Sequence, residues 1–580
     1  MLGPLLLLIG LIGFVQSGLV ALDGFVLDLG ELDWPAPRHR VFLLMVGLYG
    51  GLVAAGGTLA LRGRDWLAAL EQPSDRAWLW ATTGGALLLA LAVHYGVLGG
   101  MAITDDEPAY RFGAELLLTG RVSAPPPPLP LHFAHPMVVI TEGWHPAYFL
   151  GFPALLAPFV ALGVGGLANP VLAALTIPGL SSVLEEVAGR RWGRAALLVW
   201  VLAPMPLFLA GTGLSHTACL CALTWTAWAV ARTRSGGLQG RHALAAHGLA
   251  GLAFSVAFFV RPVSALLIGG PLLVAWGVDA VQRRDLRAGA AAGPALMLAT
   301  LFLAVNAIQN GSPWLPSYVA GADYHAANGF RFVMPSAPDA AVLAVALSPV
   351  AALEQTAAGL LRLNFAAFGW PCSFLFLAFA RNRLWWAAMI GGLAGAALVL
   401  DVGFDTFGPV HYSEVMLPLI VLTALGLAGA ARRHGDQTTG AVLLGLFLVS
   451  LALYWPVRAA NAHRIAGSVE RPIAHVEDLD DAVVFAMWPF SAQNCDIAPT
   501  RHLRLARPLP HPDLVGPVVW ANHITLPSDR RLVQTFPGRT GYLLFYDTHC
   551  DFQLVPLDSV PDGEFPAGFV GGNGDLSGYE

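Results

Sequence analysis

Apolar runs long enough to cross a bilayer recur along almost the whole of this chain. A crossing helix needs about 17 to 25 mostly apolar residues. Such runs lie near residues 3 to 22, 41 to 61, 78 to 103, 169 to 188, 195 to 212, 214 to 231, 243 to 260, 262 to 279, 288 to 308, 365 to 380, 384 to 402, 413 to 431 and 439 to 457. The pattern predicts an all-α polytopic membrane protein of about 13 transmembrane helices. Composition agrees: 56% of the residues are hydrophobic and 12% charged, about half the charged fraction of a soluble domain. The first run lacks a basic start and a small-residue cleavage site, and Asp23, Asp28, Glu31 and Asp33 follow it. It is expected to be a retained anchor.

Every basic residue counted among the 32 Lys and Arg is an arginine. Schiff-base chemistry and a Walker-type phosphate loop, which need lysine, are excluded. A net charge of -6 with no concentrated basic face excludes a nucleic-acid partner. Cys219, Cys221 and Cys372 fall in apolar stretches and are expected as buried free thiols. Cys495 and Cys550 fall in a polar region, where an oxidising compartment would let them pair.

The arginines set the sidedness. The clusters Arg62/Arg64/Arg76, Arg190/Arg191/Arg194, Arg232/Arg234/Arg241, Arg283/Arg284/Arg287, Arg381/Arg383 and Arg432/Arg433 share one side only if the apolar run Ala147 to Gly166 does not cross. That run is therefore expected as a surface helix, suited by Pro153 and Pro158. The N-terminus is then cytoplasmic and the C-terminus outside. Three outer segments are large enough to build a site: residues 104 to 146, 309 to 364, and the tail from 458 to 580. Short runs at Ala482 to Ala486, Val518 to Trp520 and Tyr542 to Tyr546 predict a small extramembrane domain containing β-strands in that tail.

Asp105, Asp106 and Glu107 stand together where the third run ends, followed by Pro108-Ala109-Tyr110. Adjacent carboxylates repel, which raises at least one pKa and suits a general base. The same triplet could supply ligands to Mg²⁺ or Mn²⁺, although no second acidic cluster completes a cage. Arg261 lies near the outer end of a run, where an arginine is costly unless paired or snorkelling, and where a guanidinium could grip phosphate. His145, Tyr324, His325, His411 and Tyr412 are further polar residues on that side.

In order along the chain, these features resemble the GT-C membrane glycosyltransferases, in particular the polyprenyl-phosphate-sugar enzymes related to protein O-mannosyltransferases and the aminoarabinose transferase of lipid A. Asp106-Glu107, Tyr110 and Gly120 match that family's first outer loop. Arg261-Pro262, Asn310-Gly311-Ser312-Pro313-Trp314-Leu315-Pro316-Ser317-Tyr318, Gly408-Pro409-Val410-His411-Tyr412 and Leu417-Pro418 follow in its order. The resemblance covers roughly residues 78 to 431. It departs at His145-Pro146-Ala147, where the family has His/Lys-Pro-Pro, and at Val410-His411, where it often has an arginine.

The resemblance implies a GT-C-like catalytic module (78-457); the two N-terminal helices (1-77) and the outer domain (458-580), read from the apolar runs and the tail's strand pattern, lie outside it. It implies an inverting glycosyltransferase of the bacterial inner membrane that takes a sugar from a lipid-linked donor, within membrane lipid, to a glycan, lipid or protein acceptor. Asp106, Glu107 and Asp105 would be catalytic, and Arg261, His145, Tyr110, Tyr324, His325, His411 and Tyr412 would bind donor or substrate. A polytopic transporter is the competing class, but transporters place ionisable groups near the midplane in paired repeats, and here the charges stand at run ends. A non-catalytic subunit of an envelope-glycan system is the third; intact Asp106 and Glu107 speak against it.

Overall fold

A computed structural model describes residues 2–25, 37–61, 65–236, 238–320, 349–398, 408–487, 507–546 and 551–561. Among them, seven helices are long and apolar enough to cross a membrane, from Asp75–Val97 to Asp436–Ala474. An eighth is counted if Pro204–Gly211 and His216–Arg234, bent by 119°, form one span. Leu2–Phe25 and Pro37–Leu61 are also helices, of 24 and 25 residues. They approach closely through small residues: a Cβ on Gly56 would stand 2.5 Å from the Leu7 nitrogen, as in other membrane helix pairs.

The chain forms two compact units. The first contains Met1–Tyr95, Asn169–Thr300 and Val342–Asn461. Its middle is the helix Met416–His434, which is apolar on every side, and 89% of the span's apolar window is buried. The long helix Ala168–Leu202 breaks at Gly189, where φ is 76°. At this break Arg191 pairs with Glu71 and Asp436, both at 2.7 Å, and Arg194 pairs with Asp75 at 2.6 Å. Arg194 also donates to the Leu70 and Pro73 carbonyls. Connections that follow three different apolar runs thus meet at one end of the unit. Residues 365 to 380, expected as a span, are instead the end of the helix Pro349–Ala366, a turn and a short 3-10 helix, Leu375–Phe379. Pro371 falls inside this stretch and helps to interrupt it. Cys219 and Cys221 are buried as expected, but Cys372 is exposed, because this turn presents it outward.

The second unit contains Gly96–Ala168, Leu301–Ala341 and Ala462–Glu580. Within it lie the helix Asp106–Leu118, a hairpin of β1 (Val138–Ile140) and β2 (Trp144–Pro146), and the helix Gly151–Ala161. That last helix, from the run expected on the surface, has 11 residues and spans about 16 Å, roughly half a hydrocarbon core.

The tail supplies β3 (Ala482–Ala486), β4 (Val518–Asn522), β5 (Thr540–Tyr546) and β6 (Phe552–Pro556), in the order β4-β3-β5-β6. β3 is central, parallel to both neighbours and buried throughout, which accounts for its unbroken Ala-Val-Val-Phe-Ala sequence. Val483 and Phe485 face a core with Phe112, Phe133 and Trp144. Val484 faces the other way, onto Val469, Val476, Trp520 and Leu544. Cys495 and Cys550 lie outside the described residues, as do Tyr324 and His325.

Candidate active site

In the second unit, the three carboxylates serve three different ends. The apolar run stops at Ile103-Thr104, and the helix that starts at Asp106 turns each successive side chain by about 100°. Glu107 folds back, its Oε1 accepting from the Ile103 N–H at 2.9 Å and from the N–H and hydroxyl of Thr104 at 3.2 Å. It is buried and holds the loop that leads into the helix. Asp106 accepts a hydrogen bond from the Tyr148 hydroxyl at 2.5 Å. Tyr110, one helical turn on, stacks against Tyr148 with ring centroids 4.8 Å apart. Burial, and secondarily the Asp106 charge, raise the Tyr148 pKa well above the usual phenol range, so the hydroxyl remains a donor.

Asp105, just before the helix, has its pKa raised well above the usual carboxylate range by burial and then by the Asp106 charge. The fold thus binds this proton more tightly than the unfolded chain does. Its contribution to stability falls as pH rises from the ordinary value of 3.8 to the raised native value. Asp105→Asn is expected to match the parent near pH 4 and to exceed it at pH 8, as read from chemical denaturation across that range. A variant that loses ground as pH rises would show that the fold keeps Asp105 ionised.

His145, on β2, is 0% exposed, with Nδ1 3.0 Å from the Pro146 carbonyl. Burial lowers its pKa and keeps it neutral. The structure therefore places it in the hairpin's interior. Among the described residues no three His, Cys, Asp or Glu side chains converge as a metal requires.

In the first unit, Arg261 occupies the break between the helix Gly240–Val260 and Pro262, at φ −147° and ψ 87°. Pro262 imposes the break by disfavouring helical geometry at the residue before it. The guanidinium Nε lies 3.1 Å from Glu414 Oε1, and Nη1 donates to Ser215 Oγ at 3.2 Å. Glu414 also meets His216 Nδ1 at 2.9 Å and accepts from the Ser264 hydroxyl at 3.1 Å. Ser413 Oγ is 2.6 Å from the same His216 nitrogen. Glu414 is 1% exposed and Arg261 23%, so a solute can reach the guanidinium but not the carboxylate.

The stretch Gly408 to Tyr412 leads directly into Ser413 and Glu414. A Cβ on Gly408, at φ 97°, would stand 2.5 Å from that of Ala366, so glycine is required there twice over. Tyr412 is buried, with its hydroxyl against Gly359 of the helix Pro349–Ala366, and His411 is half-buried.

Sequence reasoning reached Arg261 but missed Glu414, His216, Ser215, Ser264 and Tyr148. One cue was legible: an arginine at a run end calls for a counter-ion, and Glu414 is a carboxylate at the head of another run.

The apolar helices and the small β-containing C-terminal region define a polytopic membrane protein with the GT-C fold. ArnT from Cupriavidus metallidurans bound to undecaprenyl phosphate has the same fold: the match covers 85% of this chain and 100% of that one, with TM-score 0.51 and 11% identity. ArnT in the apo state matches over 83% and 98%, with TM-score 0.47 and 11% identity. The Archaeoglobus fulgidus oligosaccharyltransferase AglB, in complex with an inhibitory peptide and a dolichol-phosphate, matches over 84% and 75%, with TM-score 0.39 and 12% identity. The chain matches no protein-family model and no curated protein.

Proposed function

We propose that this protein is an inverting glycosyltransferase that moves a sugar from a polyprenyl-phosphate donor to a hydroxyl of a glycan, lipid or protein at the outer face of the membrane. The observation that carries this reading is the acidic helix, where one carboxylate is oriented by a tyrosine and its neighbour carries a raised pKa. It stands on a fold shared with ArnT, whose structure holds undecaprenyl phosphate. A sugar on a lipid phosphate already has a good leaving group at its anomeric carbon. The acceptor oxygen attacks that carbon while the bond to the phosphate oxygen breaks and the electron pair departs with the phosphate. Asp106 takes the acceptor proton, and Arg261, held by Glu414 and Ser215, offers its guanidinium to the phosphate.

Arg261→Ala is expected to weaken donor binding and slow turnover together, by about 2 to 5 kcal/mol for a desolvated charge pair. Arg261→Lys recovers part of this, since lysine restores the charge without the planar fork. The test is transfer of labelled sugar from prenyl-phosphate donors in nanodiscs at varied donor concentration. Unchanged donor dependence in Arg261→Ala removes the phosphate role, and no transfer by the parent with a range of donors overturns the reading.

The proposed sidedness has its own test, in a background with Cys372, Cys495 and Cys550 replaced by Ser. A cysteine at Leu162, 76% exposed, should react with an impermeant thiol reagent on cells, and one at the exposed Arg433 should react only after permeabilisation. The reverse pattern inverts the topology.

A further inference from the structure

Within the first unit, a cavity of about 240 Å³ opens where three helix ends meet. The end of His216–Arg234 contributes Thr233, the start of Gly240–Val260 contributes Ala243 and His247, and the connection after Gly270–Gln282 contributes Arg283, Arg284, Asp285 and Arg287. By volume it would hold on the order of eight waters, enough for a phosphoryl group with a small substituent. Its charges are unequal in availability. Arg287 is spent on Asp285, to which its Nε and Nη2 donate at 2.7 Å, and this holds the Asp285 carboxyl well below the usual carboxylate range. Asp285 also meets His247 at 3.3 Å. Arg283 and Arg284 have no carboxylate partner among the described residues.

The backbone adds a second observation. The helix Gly270–Gln282 ends in a Schellman turn: Asp285 N–H donates to the Ala280 carbonyl at 2.9 Å, and Arg284 N–H to that of Val281 at 3.0 Å. The residue between wants a left-handed conformation and is most often glycine. Here it is Arg284, at φ 53°, a choice that costs about 1 kcal/mol. Arg283 reaches back over Gly236, with Nη1 3.7 Å from where a Cβ would stand. One helix start, that of Gly240–Val260, and two helix C-termini border the same space, so the helix dipoles give no net attraction for an anion and the arginines must supply it.

We infer that this cavity is a binding site for a phosphate group, gripped by Arg283 and Arg284 and bounded by the Asp285–Arg287 pair. None of its lining residues is assigned to the chemistry proposed for Asp106 and Arg261. A phosphoryl group of this kind comes from an anionic lipid head group or from soluble phosphate, and basic pockets between membrane helices commonly take the former.

The test uses the full-length protein. Retention of dioleoylphosphatidylglycerol against dioleoylphosphatidylcholine is read by native mass spectrometry. Inorganic phosphate is titrated against chloride at constant ionic strength with thermal unfolding as readout. The variant is Arg283→Gln with Arg284→Asn, since asparagine tolerates the left-handed backbone; Arg283→Gln alone is the milder second variant. Arg432→Gln with Arg433→Gln, exposed at another helix end, removes the same charge elsewhere.

A lipid source predicts roughly tenfold loss of phosphatidylglycerol retention in the first pair, a smaller loss in Arg283→Gln, and little change in the control pair. A soluble source predicts that phosphate stabilises the parent and not the first pair, with no preference between lipids. Either result supports the site. Equal losses in both pairs would reduce it to the bulk charge of one membrane side, and no discrimination by either probe would overturn it.

Discussion

Glu414→Ala is expected to destabilise the protein by about 3 to 5 kcal/mol, the usual effect of removing one partner from a buried ion pair. The lost carboxylate pairs with Arg261, meets His216 and accepts from Ser264, and at 1% exposed it is buried among them. Glu414→Gln keeps the shape and two acceptor contacts and should lose less. The double variant Glu414→Leu with Arg261→Met, which removes both charges, should regain much of the loss, because a buried pair often exceeds an apolar replacement by little or nothing. Unfolding in mixed detergent of the parent, Glu414→Leu, Arg261→Met and the double variant, taken as a double-mutant cycle, measures this directly. Purely additive losses would mean that the two side chains stabilise the fold independently.

Asp106→Asn carries the second large effect, a fall in sugar transfer of about 10² to 10⁴-fold, with folding and membrane insertion unchanged. The amide oxygen still accepts from Tyr148, so the aromatic support of the site is kept while the proton acceptor is lost. Glu107→Ala offers the contrast: it removes three hydrogen bonds to the loop at Ile103 and Thr104 and should lower folded yield before it lowers specific activity. A parent-like rate in Asp106→Asn would sink the general-base assignment. A fall in folded protein equal to that of Glu107→Ala would make the whole triplet a structural element.

The acidic helix was legible because its carboxylates interrupt an apolar run, and β3, β4 and β5 because short β-branched and aromatic runs stand between turn residues. What the triplet could not reveal was its division of labour: neighbours in sequence point to different partners once a helix separates them. The hairpin β1–β2 was hidden by three-residue strands with no readable alternation. The Glu414 network was hidden by distance along the chain, since His216 and Ser264 lie 198 and 150 residues from it, and no period links them. The break at Gly189 fell where arginines had already marked a run end, whereas the interruption after Ala366 lay inside an apolar stretch and so read as a span.

The second unit is assembled from three stretches of chain that are far apart in sequence, and this sets a timetable for its biogenesis. Phe112 and Trp144 leave the ribosome early, but Val483, Phe485 and Leu543, which complete their core, are the product of the last part of synthesis. At about 5 to 20 residues per second the delay is tens of seconds. Throughout that interval the helix bearing Asp106 can pack on Trp144, Tyr148 and Phe152 but lacks the strands that close its core. A nascent chain therefore cannot complete the core beneath the acidic helix before the last strands of the sheet are made. A premature stop anywhere upstream of β3 would leave the intervening helices inserted but this unit without its core, a species for quality control to remove.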